Sequence, residues 1–433
     1  MKNKSMLPLF TVIIPAKDRG IYLEHTLRTC MIQDYPNFEI IVSDDGSTDN
    51  TREVVDKAMG QDTRIRFFSH NPGLGMKGNF EFALNQVKPG YVIALGGDDG
   101  LLPDGIQKMY KILSETNTEL LTWPCPHFIF PDYYNKYSKL VISRSKGVKI
   151  IKSKDFLNRV TKSLQYLEDI ECPMFYIKGV VSTRLIDRVK SRTDDHCFYS
   201  CPTPDGYSGI VLAGEVEEYA FSGEPFSIGG DTIASQGRAY LKNDEKSKEE
   251  AAAFFKNSSI RPMHHELASQ PYSPLITLMT ADYLLTARDL PGMPSEFPII
   301  NYKNLIKKCF VELANRYSES GLIDRELRII KKIAEKHGLL EFFEKLLSTS
   351  KLKIKKNQGF AGSVVTPRTI IFDSETLDLV NIFEAAQATK YVYNIYKNSN
   401  IKNIFSVFHT MIYTFMQVKK YKSEKFPELD DLN

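Results

Sequence analysis

The sequence predicts an α/β domain built on a mostly parallel sheet flanked by helices, followed by a mainly α-helical C-terminal region. Three observations carry this reading. Strand and helix signals alternate through the first hundred residues. The strand signals are short, continuous apolar runs, the form taken by strands buried on both faces. After about Ala239 long helical patterns dominate. The division is set at residues 1–240 and 241–433, inside the polar run from Lys242 to Lys248.

Each element has its own warrant. Phe10 to Ile14 is a β-branched run that stops at Pro15, and Tyr22 to Gln33 places Leu23, Leu27 and Cys30 on one helical face. Phe38 to Val42 is a second strand, closed by Ser43, Asp44, Asp45 and Gly46. Asn50 is placed to cap the next helix, with Glu53 at its third position. Arg64 to Phe68 reads as a strand, Asn79 to Val87 as a helix, and Tyr91 to Leu95 as a strand. From Leu120 to about Gly237 the pattern is mixed, with strand-like runs at Leu120 to Trp123 and Phe128 to Phe130. Helical spacing marks Asp155 to Leu167 and Tyr207 to Ala213. Six further helices are expected, over 275–287, 302–316, 325–336, 339–347, 377–396 and 401–418.

A chain of 433 residues allows two or three domains. Its net charge of +3 argues against a general nucleic-acid binder, which would carry a strong basic excess. With 42% hydrophobic and 25% charged residues it reads as a soluble globular protein with ample core material. Six cysteines in so long a chain do not make a disulfide scaffold. Neither a signal-peptide pattern nor an apolar run of about 18 residues is found. The expected location is therefore cytoplasmic, with the cysteines as free thiols.

Ligands of such folds sit at the carboxyl ends of the parallel strands. Three strands here end in Pro15-Ala16-Lys17-Asp18, in Asp44-Asp45-Gly46 and in Gly96-Gly97-Asp98-Asp99. Carboxylates at a strand end, with glycines that admit close approach, suit Mg²⁺ or Mn²⁺ carrying a diphosphate, because these ions prefer oxygen ligands. The bland alternative is a solvated turn, for which Asp and Gly are ordinary residues.

The segment from Phe10 to Thr51, FTVIIPAKDRGIYLEHTLRTCMIQDYPNFEIIVSDDGSTDNT, resembles the opening of a family 2 glycosyltransferase with the GT-A fold. Ile93 to Pro103 is similar to that family's DXD region and the Leu-x-Pro that follows it. The resemblance is close over about 9–110 and loose over 111–240. It implies transfer of a sugar from a nucleotide-sugar donor, a UDP-sugar first among the options, with inversion and a divalent metal. It places Pro15, Asp18 and Arg19 along the nucleotide pocket, and Asp44 and Asp45 on the base and ribose. Lys77, Asn79 and Gly97 fall near the donor. Asp98 matches the last Asp of DXD, and Asp99 lies beside it. The first DXD aspartate falls on Gly96, a departure that leaves fewer carboxylates for the metal. Lys17 stands where relatives often carry an aromatic residue.

An inverting transfer needs a general base on the acceptor hydroxyl. The resemblance assigns it to an Asp or Glu about a hundred residues after DXD, and Asp205 fits that place. A helix N-cap is the competing role for Asp205, and Asp194 and Asp195 are rival bases. Asp231 falls where relatives often place a histidine that touches the metal, and Arg238 follows as a phosphate partner or a plain surface residue.

Gly73 to Gly78, GLGMKG, literally matches the dinucleotide fingerprint. It lies outside the first βαβ unit and three residues separate it from its strand, so an NAD-dependent oxidoreductase is kept as a rival only. Asp195, His196, Cys197, Cys201 and Cys172 make a weak zinc signal, with buried thiols as the plainer reading. His264 and His265 read as surface residues.

The apolar stripe of 401–418 and the lysines that follow it, to residue 425, suit either a packed terminal helix or peripheral contact with anionic lipid at the inner face of the membrane. The lysines between 351 and 356 read as solvated charge.

The sequence thus points to an inverting glycosyltransferase acting on a glycan acceptor in surface polysaccharide biosynthesis, of capsule, lipopolysaccharide or teichoic-acid type. The surface-glycan part rests on family analogy alone. A non-catalytic binding module of the same fold is the second rival, favoured by Gly96. A homo-oligomer built through the helical region is a further option.

Overall fold

The computed structural model describes residues 7–131, 138–143, 145–232, 261–316, 320–349, 364–365, 369–373 and 379–398. Four strands begin the fold: β1 (Leu9–Ala16), β2 (Phe38–Asp44), β3 (Ile65–Ser69) and β4 (Gly90–Ala94). They lie in the order β3-β2-β1-β4, all parallel. Helices α1 (Gly20–Met31), α2 (Thr51–Gln61) and α3 (Gly75–Asn85) connect them. The register sets Pro15 beside Ser43, and Ala16 beside Asp44, so the ends of β1 and β2 are lateral neighbours.

Short strands follow: β5 (Gly100–Leu101), β6 (Leu120–Thr122), β7 (His127–Ile129), β8 (Lys139–Ser143), β9 (Val148–Lys152), β10 (Gly179–Ser182), β11 (Glu218–Ser222) and β12 (Ser227–Asp231). Helices α4 (Gly105–Thr116), α5 (Ser153–Ser163), α6 (Thr183–Lys190) and α7 (Pro204–Glu215) lie among them. The first sheet continues through β10, β6, β11 and β9 with mixed directions. A second sheet has the order β13-β14-β8-β7-β12-β5, where β13 (Val364–Val365) and β14 (Thr369–Asp373) come from far along the chain. Residues 96–99 therefore join the last parallel strand of one sheet to an edge strand of the other.

The alternation of side chains along the central strands divides the core. Ile13, Ile41, Val92 and Ala94 face one way, onto α3 and α7. Val12, Ile14, Ile40, Val42 and Ile93 face the other way, onto α1 and α4. All are essentially inaccessible to water, and full burial of such side chains contributes about 1.5–3 kcal/mol each. This is the physical reason the strands read as unbroken apolar runs.

The C-terminal helices are α8 (Ile276–Arg288), α9 (Tyr302–Arg316), α10 (Ser320–Lys336), α11 (Leu340–Thr349) and α12 (Ile382–Asn398). Leu278, Ala281 and Leu285 of α8 share a buried cluster with Ile210 and Val211 of α7, and Leu305, Ile330 and Ile333 extend it. Helix α12 turns back instead. Ile382, Ala386 and Val392 pack with Phe128, Leu140 and Phe372 of the second sheet.

The architecture is the one expected, a mostly parallel sheet flanked by helices with a mainly helical C-terminal region. Three local expectations are corrected. Helix α3 begins at Gly75, not Asn79, so the glycine-rich stretch enters the helix. Asn50 occupies the N-cap position of α2 without a side-chain cap bond. Asp49 takes that role, accepting from Thr51 N at 3.0 Å and Gly20 N at 2.9 Å. Strands β13 and β14 interrupt the region expected to be helical. The proposed boundary at 240, Arg238, the lysines of 351–356 and the stripe and lysines of 401–425 lie outside the described residues.

Candidate functional site

Acidic side chains shape the loops at the carboxyl edge of the parallel strands. Asp18 Oδ1 accepts from Thr48 N at 2.8 Å, and Asp18 N donates to Ser47 Oγ at 2.8 Å. Asp44 accepts from Ser47 N at 3.1 Å and from Ser69 Oγ at 2.9 Å. Asp45 Oδ1 accepts from the N–H groups of Leu74 and Gly75 at the start of α3. Asp45 Oδ2 lies 4.0 Å from Lys17 Nζ. Arg19 donates from Nη1 to the carbonyls of Lys17 and Asp18, each at 3.1 Å. Pro15 is buried within β1. The β1 and β2 ends are thus laced together.

The Gly96–Asp99 turn is buried beside them. Thr26 of α1 donates to the carbonyls of Gly97 at 3.0 Å and Asp99 at 2.6 Å, which fixes the turn on the helix. A Cβ on Gly97 would lie 2.9 Å from Arg19 Cβ, so glycine there makes room for the arginine stem. Asp99 Oδ2 accepts from Gly96 N at 2.6 Å, and Oδ1 from Gly230 N at 2.9 Å. Asp98 Oδ2 accepts from Thr232 Oγ1 at 2.8 Å. A Cβ on Gly230 would sit 1.9 Å from the Asp98 carbonyl, so the end of β12 crosses directly over the aspartates. Asp231 is held there by its strand pairing with Ile129. Burial, and next the charge of Asp98, push the Asp99 carboxyl up, against the opposing hydrogen bonds of Gly230, Gly96 and Tyr176.

Asp205 is not the N-cap of α7. Thr203 holds that position, Pro204 opens the helix, and Asp205 follows in the first turn. Its Oδ2 accepts from Tyr166 Oη at 3.0 Å, while Oδ1 is shielded from solvent and has no hydrogen-bond partner among the described residues. Tyr176 feels all three carboxylates. Burial raises its hydroxyl pKa first, and then the negative charges of Asp99, Asp98 and Asp205 raise it further. Asp98, Asp99 and Asp205 therefore act on one phenol. Tyr166, Tyr176 and Thr232 carry no motif, and only the folded chain brings them to the site.

Other expected residues have different surroundings. Asn79 is buried against Ser43, accepting from its Oγ at 2.6 Å and donating to its carbonyl at 2.9 Å, so it locks α3 to β2 instead of lining an open donor cleft. Lys77 lies 3.9 Å from Asp195 on the surface. Asp195 accepts from Cys197 N at 3.1 Å within its own loop. Asp194 lines an open cleft of about 600 Å³ with Arg188, Arg192 and His196. Cys172 and Cys201 are buried free thiols pushed up to about 12 by desolvation, as the plainer reading expected. Among the described residues, one three-residue group offers ligand atoms within 4.8 Å of one another: His264, His265 and Asp289, on the helical side. There His264 Nε2 bonds Asp289 Oδ2 at 2.8 Å and Nδ1 accepts from Glu266 N at 3.2 Å, so both ring nitrogens are already engaged. Asp98, Asp99 and Asp231 do not form such a group.

The fold and site define an α/β domain whose carboxylates converge at the ends of its parallel strands. Residues 11–179 match the family model described as glycosyl transferase family 2. A GalNAc(5)-diNAcBac-PP-undecaprenol beta-1,3-glucosyltransferase of Campylobacter jejuni is 34% identical over 110 residues, covering 25% of this chain and 36% of that protein. Glycosyltransferase GlyG of Streptococcus pneumoniae is 29% identical over 130 residues, covering 30% of this chain and 40% of that one. The chain spans between 36% and 55% of the length of three curated relatives it matches. A crystal structure of S. aureus TarS 1–349 in complex with UDP-GlcNAc aligns over 82% of this chain and 98% of that one, at 14% identity and a TM-score of 0.41. No helix among the described residues is long and apolar enough to cross a membrane.

Proposed function

We propose that this protein transfers a sugar from a nucleotide-diphosphate donor to a hydroxyl of a glycan acceptor, with inversion at the anomeric carbon. The observation that carries the proposal is the Asp205 carboxylate, which has one oxygen held by Tyr166 and the other without a hydrogen-bond partner among the described residues, and whose charge acts with those of Asp98 and Asp99 on the Tyr176 hydroxyl. Two separated carboxylate centres are what the reaction requires, one at the donor diphosphate and one at the acceptor hydroxyl.

Asp205 Oδ1 is the proton acceptor for the acceptor hydroxyl as that oxygen attacks the anomeric carbon. The nucleoside diphosphate departs on the opposite face. Asp18, Asp44 and Asp45 border the nucleotide. Asp44 and Asp45 are rigid because each accepts backbone N–H groups, and such rigidity keeps a binding edge in place without reorganisation.

A divalent cation, Mn²⁺ or Mg²⁺, fits Asp98 and Asp99. The donor set is all oxygen, and the Asp99 carboxyl is pushed up first by burial and then by the adjacent charge of Asp98, a pair of buried carboxylates that a cation would relieve. When bound, such an ion supplies charge stabilisation to the leaving diphosphate. Asp98 and Asp99 would hold it, with Asp231 close by on β12. The names of the relatives support a surface-glycan acceptor, and a UDP-sugar is the donor to try first. A cytoplasmic site of action, with peripheral contact at the inner face of the membrane, belongs to the same proposal.

The oxidoreductase rival loses its main support. A dinucleotide fingerprint offers backbone N–H groups to a pyrophosphate, whereas here Asp45 already takes those of Leu74 and Gly75. A Cβ on Gly73 would lie 2.4 Å from the Asp45 carbonyl, so that glycine serves the packing of the loop on Asp45.

Calorimetric titration with UDP, GDP, CDP, dTDP and NAD⁺, each with and without Mn²⁺, on wild type and Asp98→Ala tests the reading. Mn²⁺-dependent binding of one nucleoside diphosphate, lost in Asp98→Ala, is expected. Binding of NAD⁺ alone would restore the oxidoreductase. Binding of none would leave a non-catalytic module.

A further inference from the structure

Gly96 stands where the family's DXD pattern has its first aspartate, and the structure gives a physical reason for the glycine. A Cβ at residue 96 would lie 2.5 Å from Tyr176 Oη, 2.9 Å from Asp99 Oδ2 and 3.1 Å from Asp98 Oδ1. The first two distances are shorter than real Cβ contacts allow. The space that a side chain at 96 would enter is thus filled by the Tyr176 hydroxyl, which comes from another part of the chain, and by the edge of the Asp99 carboxylate.

Tyr176 does not reach that position by a flexible side chain alone. Its backbone pairs with Ala94 in a parallel bridge at the end of β4, and Ile177 N donates to the Ala94 carbonyl at 2.8 Å. Its ring meets Phe80 edge-on, with centroids 5.8 Å apart. The hydroxyl lies beside the Asp99 carboxylate and favours its charged form, while the two carboxylate oxygens accept from Gly96 N and Gly230 N. A phenol O–H is a donor that a carboxylate can accept, so the exchange of an aspartate for a tyrosine hydroxyl removes one negative charge and adds one hydrogen bond.

We infer that Tyr176 takes the place of the missing first aspartate, acting as a positioning residue that holds Asp99, so that the donor end of the site is the trio Asp98, Asp99 and Tyr176. The inference rests on the donor-binding reading above. It predicts that positions 96 and 176 are coupled. An aspartate at 96 is excluded while the tyrosine is present and is accommodated once the tyrosine is cut back.

The test is calorimetric binding of UDP, GDP, CDP and dTDP in Mn²⁺ and in EDTA, with thermal midpoints, on wild type, Tyr176→Phe, Gly96→Asp and the Gly96→Asp/Tyr176→Ala double variant. Wild type is expected to bind one of the four in Mn²⁺. Tyr176→Phe keeps the ring, so its midpoint should stay within about a degree, while Mn²⁺-dependent affinity falls about five- to tenfold, the scale of about 1–1.4 kcal/mol, one ordinary hydrogen bond. Affinity in EDTA should not change. Gly96→Asp should lose the Mn²⁺-dependent affinity, and the double variant should recover it to within roughly threefold of wild type, a non-additivity expected only of touching residues.

Wild-type affinity in Tyr176→Phe, or in Gly96→Asp with the tyrosine intact, would overturn the inference while leaving the donor reading standing. If Tyr176→Phe lowers the midpoint, the decision falls on the double variant, where additive losses overturn the inference and recovery supports it. Failure of wild type to bind any of the four overturns the donor reading and this inference with it.

Discussion

Tyr166 donates its hydroxyl to Oδ2 of Asp205 at 3.0 Å, across 39 positions of sequence, and Oδ1 of the same carboxylate has no partner among the described residues. Both residues are fixed by packing. The Tyr166 ring lies edge-on to Tyr283 of α8 with centroids 5.7 Å apart, and a Cβ on Gly206 would lie 2.7 Å from both rings. A carboxylate held in one orientation with one oxygen available is suited to receive a single proton. Asp205→Asn preserves the shape and removes the basicity. We expect kcat to fall by about 10²–10⁴, the usual contribution of a general base, with nucleoside-diphosphate affinity unchanged. A variant with kcat within threefold of wild type would remove Asp205 from the reaction.

Asp45 binds the glycine-rich loop to the strand that precedes it, and this makes a second expectation. Asp45→Ala would leave the N–H groups of Leu74 and Gly75 without their acceptor, and the side chain it removes is buried. Loss of such a capping carboxylate costs about 1–2 kcal/mol. The urea midpoint should drop accordingly, with the slope of the transition unchanged. Should the loop be a dinucleotide site, the same variant would instead gain free N–H groups and bind NAD⁺ more tightly than wild type.

Much of the fold was legible in the chain. Val12, Ile13 and Ile14 are buried on both faces of the sheet, and burial on both faces is what an unbroken apolar run encodes. The position of Asp205 was legible through the resemblance, and its surroundings were not. Tyr166, Tyr176 and Thr232 lie 39, 29 and 27 positions from it in the chain, and they converge only because β10, α7 and β12 are folded together. The tie of Asn79 to Ser43 was not legible, because the two lie 36 positions apart and meet only once α3 packs on β2. Strands β13 and β14 escaped because two to five residues carry no period, and they join the sheet through the pairing of β14 with β8, more than two hundred residues away.

Asp98 and Asp99 are adjacent but not equivalent. Asp99 has both oxygens committed to backbone N–H groups on two different segments, so it braces the crossing of β12 over the turn. Asp98 accepts from Thr232 at the mouth of that crossing. Asp98→Asn should therefore abolish Mn²⁺-dependent nucleotide binding with a thermal midpoint close to wild type. Asp99→Ala should lose binding and stability together, by about 1–3 kcal/mol, because it strands two buried donors. Chelation by EDTA should reproduce the Asp98→Asn binding defect in wild type. Equal midpoints for the two variants would show that the division of roles is wrong.

The last prediction concerns the return of α12 to the second sheet. Glu224, in the loop between β11 and β12, accepts from Lys108 at 2.5 Å, Lys390 at 3.2 Å and Lys397 at 3.1 Å. Burial acts to raise its pKa, but the hydrogen bond from Lys108 and the charges of Lys108 and Lys390 outweigh it and hold the carboxyl down to about 2. A carboxylate lowered in the folded state binds fewer protons there than in the unfolded chain. Its stabilising contribution is present above the ordinary glutamate range, near 4.3, and is lost as pH falls toward 2. Wild type should therefore lose stability between about pH 4.5 and 2 more steeply than Glu224→Gln, which has no proton to gain. At pH 7 the variant should be the less stable, by a few degrees in midpoint, because it leaves three lysines around a neutral amide. Near pH 2.5 the two midpoints should meet. Parallel curves across that range would mean that α12 is held by the packing of Ile382, Ala386 and Val392 alone, with no contribution from the lysines around Glu224.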